Sequence, residues 1–219
     1  MLHHLENLYH ALDFGSMGAA ALRVAAIFLC LTVHETCHGL AAYALGDPTA
    51  KSMHRLSLNP LRHIDWFGLA MMFAVGFGWA KPVPVDPRYF KKPKQGMAVT
   101  ALAGPVSNLL LAALAILLSK VIYLYAPYNT VWATLFDFLL YTLAPLSVGL
   151  GLFNLVPIPP LDGSKVLAVF LPDSAYIRLM RYERYGILVL LALSYFDVLG
   201  GFISNAILGV FSGMVNLFY

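Results

Sequence analysis

His34 and His38 stand four residues apart in the run His34-Glu35-Thr36-Cys37-His38. On an α-helix, positions i and i+4 share a face, so two imidazoles at this spacing can grip one tetrahedral zinc. Glu35 is no ligand in this pattern; it lies beside the metal and can take a proton from the water that the metal activates. With 7 histidines in the chain and glutamates only at Glu6, Glu35 and Glu183, chance placement gives such a match in roughly three chains per thousand. The setting sharpens the reading. Apart from Arg23 near the outer end, residues 16–45 are otherwise mostly apolar, and ionisable groups inside a membrane span are costly without a compensating partner. A divalent cation is such a partner.

A catalytic zinc takes three protein ligands and leaves the fourth position for water, so a third ligand must come from elsewhere in the chain. Few acids lie near the other apolar segments. Asp137 falls at the far end of one, and Asp197 in a C-terminal hairpin expected on that same far side. Asp162 closes the run Asn154-Leu-Val-Pro-Ile-Pro-Pro-Leu-Asp162-Gly163. Its three prolines forbid continuous helix and are expected to keep the chain extended, and Gly163 permits a tight turn after the carboxylate. Such a segment can fold back and present Asp162 to the metal; an Asp-Gly turn at the surface is the alternative that spacing leaves open.

The elements that position these residues follow from composition. The chain has 219 residues, 60% hydrophobic and 11% charged, less than half the roughly 25% charged residues of an ordinary soluble domain. That excludes a soluble monomer, and the hydrophobicity excludes disorder. The net charge of +3 comes without a basic stripe, which argues for no nucleic-acid partner. Cys30 and Cys37 share one apolar segment and are expected as small buried residues, not a disulfide framework. Residues 1–14 lack the basic region and apolar core of a cleaved signal.

A spanning helix needs about 20 apolar residues. Residues 16–45 qualify, stopped by Gly46-Asp47-Pro48, as do 97–125 and 132–153. The apolar stretch 66–79 is too short to cross and is broken by Gly68, Gly76 and Gly78; it is expected as a re-entrant or β-like insertion. Residues 81–94, with four prolines, read as a surface loop. Residues 186–196 and 202–219 give further C-terminal helices. The fold expected is an all-α polytopic membrane protein, one domain over 1–219 with its core in about 16–165. Lys51, Arg55, Arg62, Lys81, Arg88, Lys91, Lys92, Lys94, Lys165, Arg178, Arg181 and Arg184 fall on one side, and the uncharged loop 126–130 on the other. The positive-inside rule makes the basic side cytoplasmic and puts the N-terminus outside. His54 and His63 lie in the basic loops and are expected at the surface, among headgroups.

Three motifs together resemble the site-2 protease family of intramembrane zinc metalloproteases: His34-Glu35-x-x-His38, Ala103-Gly104-Pro105-x-x-Asn108, and Asn154-x-x-Pro157-x-Pro159-x-x-Asp162-Gly163. Gly46-Asp47-Pro48-Thr49-Ala50, Leu58-Asn59-Pro60-Leu61 and Gly78-Trp79-Ala80-Lys81-Pro82-Val83-Pro84-Val85 are similar to a compact prokaryotic branch that lacks PDZ and nucleotide-sensing domains. The resemblance implies a core of three transmembrane helices and one Zn2+ per chain held by His34, His38 and Asp162. It also implies Glu35 as the catalytic carboxylate, and Asn154 positioning substrate or stabilising the transition state. The implied substrate is a transmembrane or membrane-associated protein, cut near the cytoplasmic face of a prokaryotic membrane, with oligomerisation left open. A helical substrate must unwind to be cut, and 156–161 and 68–79 are expected to offer it strand-like pairing. Asn108 is expected either to bond a zinc ligand or to link helices, and Gly104 and Pro105 to allow close packing. Two other readings compete. A metal transporter needs a path of further intramembrane ligands, and an inactive scaffold is opposed by the intact Glu35.

Overall fold

The computed structural model describes residues 17–75, 81–182, 185–196 and 200–219. Among the described residues, four helices are long and apolar enough to cross a membrane. The first, α1 (Met17–Ala44), carries the His34–His38 turn and stops where Gly46, Asp47 and Pro48 follow. Asp47 then caps the short α2 (Thr49–Ser52) by accepting from the Thr49 amide at 2.9 Å. Next comes α3 (Trp66–Val75), ten residues long. A β-like insertion is therefore not what the described part of this stretch forms. A helix satisfies its own backbone without a partner strand, the cheaper arrangement where water is scarce. Gly76, Gly78 and Trp79 lie outside the described residues. Among those described there is no extended strand, only an isolated bridge at Ile64, next to which the Lys81 amide donates to the His63 carbonyl at 2.9 Å.

Helix α4 (Pro93–Tyr125) begins four residues earlier than hydropathy alone suggests, at Pro93. The first turn of a helix has no use for the amide that proline lacks, and its fixed φ suits that position. Asn129 caps α5 (Thr130–Asn154), its side chain accepting from the Trp132 amide. Between Phe138 and Leu143 this helix widens to π geometry. Pro145 cannot donate to the carbonyl four residues back and its ring crowds it, which the wider turn relieves.

The proline-rich stretch after Asn154 is not extended. It runs as consecutive turns, with Ile158 donating to the Val156 carbonyl at 2.8 Å and Leu161 to the Ile158 carbonyl at 2.9 Å. It delivers the chain to α6 (Asp162–Ala168). Gly163 lies inside the first turn of α6, not in a separate tight turn. A Cβ there would stand 2.1 Å from the Leu155 carbonyl oxygen, so glycine is required for α6 to press against the preceding turns. An amphipathic helix that hydropathy did not single out, α7 (Asp173–Tyr182), is tied back to α4 by Lys94, which meets Asp173 and the Leu171 carbonyl. Then come α8 (Gly186–Tyr195) and α9 (Gly200–Phe218).

Near the C-terminal end of α4, Lys120 meets the Phe218 carbonyl, and the Ser119 hydroxyl lies 2.9 Å from that of Tyr219. The last residues of the chain therefore sit at the far end of α4, so α9 runs parallel to it and starts on the side of Asp162. Asp197, expected in a hairpin on the far side, lies outside the described residues.

The buried core lies where α1, α4 and α5 meet, formed by Ala26, Cys30, Ala112, Ala115, Ile116, Leu139, Leu143, Ala144 and Val148. Alanines at this junction let the backbones approach closely, the usual way membrane helices gain contact. Larger side chains such as Leu110, Leu114, Val121 and Tyr123 face outward.

Candidate metal centre

His34 and His38 point from α1 toward α4, and α6 brings Asp162 to them from 128 positions away. The imidazoles are 3% and 8% exposed and Asp162 is 8% exposed. The three donor atoms form a nearly equilateral triangle. His34 Nε2 is 3.0 Å from His38 Nε2, and each is 3.1 Å from Asp162 Oδ2. Donors on a tetrahedral zinc with bonds of 2.0–2.1 Å stand about 3.3 Å apart. The spacing suits one small cation.

Protonation argues the same way. His38 Nδ1 lies 2.7 Å from the Thr100 carbonyl oxygen, which can only accept, so the proton sits on Nδ1 and the neutral ring turns its Nε2 lone pair inward. That lone pair faces a carboxylate oxygen at 3.1 Å. A cation between them turns the repulsion into ligation. A carboxylate ligates a metal as the anion. Among the described residues no other group of three His, Cys, Asp or Glu side chains gathers in this way.

Glu35 stands beside the triangle, and its Oε2 accepts from the Val83 amide at 2.9 Å. Val83 belongs to a segment that prolines at 82, 84 and 87 restrict to extended backbone. Polar contacts fix the segment along its length. The Arg55 guanidinium donates to the Lys81 carbonyl at 2.7 Å, and the Asp86 amide donates to Asp47 at 2.7 Å. Arg55 and Asp47 are both buried. The segment, α1, α4 and the start of α6 enclose a cavity of about 320 Å³ lined by His34, Glu35, His38, Val83, Asn154 and Asp162. Asn154 lines it from the end of α5 while its amide donates to the Leu150 carbonyl at 3.0 Å.

Other residues stand differently from expectation. His63 is not at the surface. It is 2% exposed and donates from Nε2 to the Ser57 carbonyl at 2.7 Å, which also accepts from the Thr36 hydroxyl at 3.0 Å. One carbonyl thus fastens the 57–63 loop to α1 next to the histidines, and gives the polar Thr36 a structural use. His54 is exposed, as expected. Asn108 is fully buried and links helices through its backbone, its carbonyl accepting from Ser147 of α5 at 2.7 Å; neither imidazole bonds its side chain.

The sequence reading missed three contributors. The Val83 amide and the Thr100 carbonyl are backbone groups with no signature in side-chain type. Gly104 was read only as a packing residue, yet a Cβ there would stand 2.4 Å from His38 Nε2 and 2.7 Å from His34 Cε1. Bare glycine is what lets α4 lie against both rings. Gly104→Ala is therefore expected to lower zinc affinity by about 10- to 100-fold, the range for disturbing the supports of metal ligands, as read by zinc retained against a competing chelator. Gly213→Ala, whose added Cβ meets nothing within 4 Å, serves as the control and is expected to change nothing.

The sequence profile of peptidase family M50 matches residues 117–195, the stretch that holds Asn154, Asp162 and Lys165. YwhC of Bacillus subtilis, provisionally named a zinc metalloprotease, is 39% identical over 171 residues, covering 78% of this chain and 78% of that protein. The Rip2 proteins of Mycolicibacterium smegmatis and Mycobacterium tuberculosis, provisionally named zinc metalloproteases too, are each 28% identical. They cover 81% and 89% of this chain and 68% and 74% of their own lengths. No solved structure matches the chain.

Proposed function

Because this chain belongs to peptidase family M50, the site-2 proteases, we propose that it is an intramembrane zinc endopeptidase with His34, His38 and Asp162 as ligands, Glu35 as catalytic carboxylate and Asn154 as substrate contact. The observation that carries this reading is the convergence of two histidines from a membrane helix and one distant aspartate on a triangle of 3.0–3.1 Å. Zinc held there supplies Lewis acidity toward water and toward the scissile carbonyl.

The chain's own groups do the rest. Glu35, aimed by the Val83 amide, takes the proton of the attacking water and hands it to the departing amine. Asn154 at the cavity wall offers an amide to the developing oxyanion. The substrate is a transmembrane or membrane-associated protein whose helix must open before a carbonyl becomes accessible. Its freed backbone needs partners in a setting poor in water. The extended segment around Val83, fixed by Arg55, Asp47 and Glu35, is better suited to that pairing than 156–161, whose amides bond within their own turns, or the helical part of 68–79.

The reading extends to the whole chain as one catalytic domain with one zinc, in a prokaryotic cell membrane. The basic loops, and with them the mouth of the cavity, face the cytoplasm, because Lys51, Arg55, Arg62, Lys81 and Arg88 share the side of α1 from which the cavity is reached. A purified preparation in lipid nanodiscs with a single-span protein substrate tests it. Cleavage is expected to stop on chelation and to return with added zinc. Cleavage that continues after the metal has been removed overturns the assignment.

A further inference from the structure

The Asp162 carboxylate has two equivalent oxygens, yet only Oδ2 meets the imidazoles. Oδ1 faces the ammonium of Lys165 at 4.0 Å. Lys165 lies one turn further along α6, on the same face as Asp162, and contributes to the cavity wall. Its side chain is partly buried, and that of Asp162 more so. In such surroundings a positive group attracts the oxygen nearer to it more strongly than it would in water. The sequence reading counted Lys165 only among the loop charges.

We propose that Lys165 is a positioning residue of the metal centre: its ammonium holds Oδ1 of Asp162 aside, so that the carboxylate offers the metal one oxygen and the fourth coordination position stays open for water and substrate. This rests on the assignment of His34, His38 and Asp162 as ligands. A carboxylate freed from such a hold can turn both oxygens to one cation, and zinc accepts a fifth ligand readily. The position then occupied is the one catalysis needs. The second effect of Lys165 has the opposite sign from that of a structural prop. A cation beside a metal centre repels the metal, so it weakens binding while drawing electron density from the carboxylate.

The test uses the full chain in nanodiscs with Co2+ as probe, in wild type, Lys165→Met and Lys165→Arg. Wild type and Lys165→Arg are expected to show the intense visible bands of four-coordinate Co2+. In Lys165→Met those bands are expected to fall several-fold, toward the weak spectrum of higher coordination. Zinc affinity, measured by chelator competition, is expected to be unchanged or tighter in Lys165→Met, while kcat drops about tenfold or more with KM little altered. An unchanged Co2+ spectrum in Lys165→Met, or weaker zinc binding, overturns the proposal. A wild-type Co2+ spectrum that survives His34→Ala would instead sink the ligand assignment, so the two failures are distinguishable.

Discussion

Glu35→Gln is expected to remove peptide-bond cleavage while leaving the zinc content of the protein as it was. Glutamine matches the size of glutamate, and its side-chain oxygen can still accept from the Val83 amide that now holds Oε2 at 2.9 Å. The ring positions of His34 and His38 depend on Gly104, Thr100 and Asp162, none of which the change touches. What disappears is the capacity to accept a proton. General-base contributions run to about 10²–10⁴-fold, and the same group would also serve the leaving amine, so the upper part of that range is expected for kcat. The measurement is single-turnover cleavage of a single-span substrate alongside zinc analysis of the same preparation. Activity within tenfold of wild type, with zinc in place, would remove Glu35 from the mechanism.

Asp162→Ala has the second large effect, on metal instead of chemistry. Two histidines remain, His38 still aligned by the Thr100 carbonyl, but on the proposed ligand set the centre loses its only anionic donor. Lys165 then faces the imidazole pair with no carboxylate between them, which opposes a divalent cation further. Loss of a partner behind a ligand costs about 10–100-fold in affinity; loss of the ligand itself is expected to exceed about 100-fold. Chelator competition on the solubilised protein reads it directly. Wild-type zinc affinity in this variant would mean that the third ligand lies elsewhere.

The His34–His38 turn of α1 was legible because its types and spacing are rare and its surroundings apolar. The three long spans in the first two-thirds of the chain were legible because their length leaves no other reading. Asp162 was a candidate from spacing and became specific only through resemblance, since an Asp-Gly pair after prolines fits a surface turn equally well. The stretch 66–79 misled because an apolar run without periodicity fits a strand or a helix alike. The described part, Trp66–Val75, is helical. The run after Asn154 misled because prolines exclude helix without choosing between extended chain and turns. The direction of α9 was hidden too. Hydropathy finds an apolar helix but not its sense, which here is set by contacts of Ser119 and Lys120 with the last two residues. His63 read as a loop residue because nothing local announces that Ser57 will bury it.

The separation of 128 positions between His34 and Asp162 also bears on how the protein is made. At about 5–20 residues per second on the ribosome, roughly 6–26 s pass between the emergence of the first proposed ligand and that of the last. Throughout that interval the nascent chain would hold the histidine pair without the carboxylate that the proposed centre needs. Hydrolytic competence therefore arrives late in synthesis, after α5 has been laid down, and a truncated product ending before α6 would be inert toward its neighbours in the bilayer.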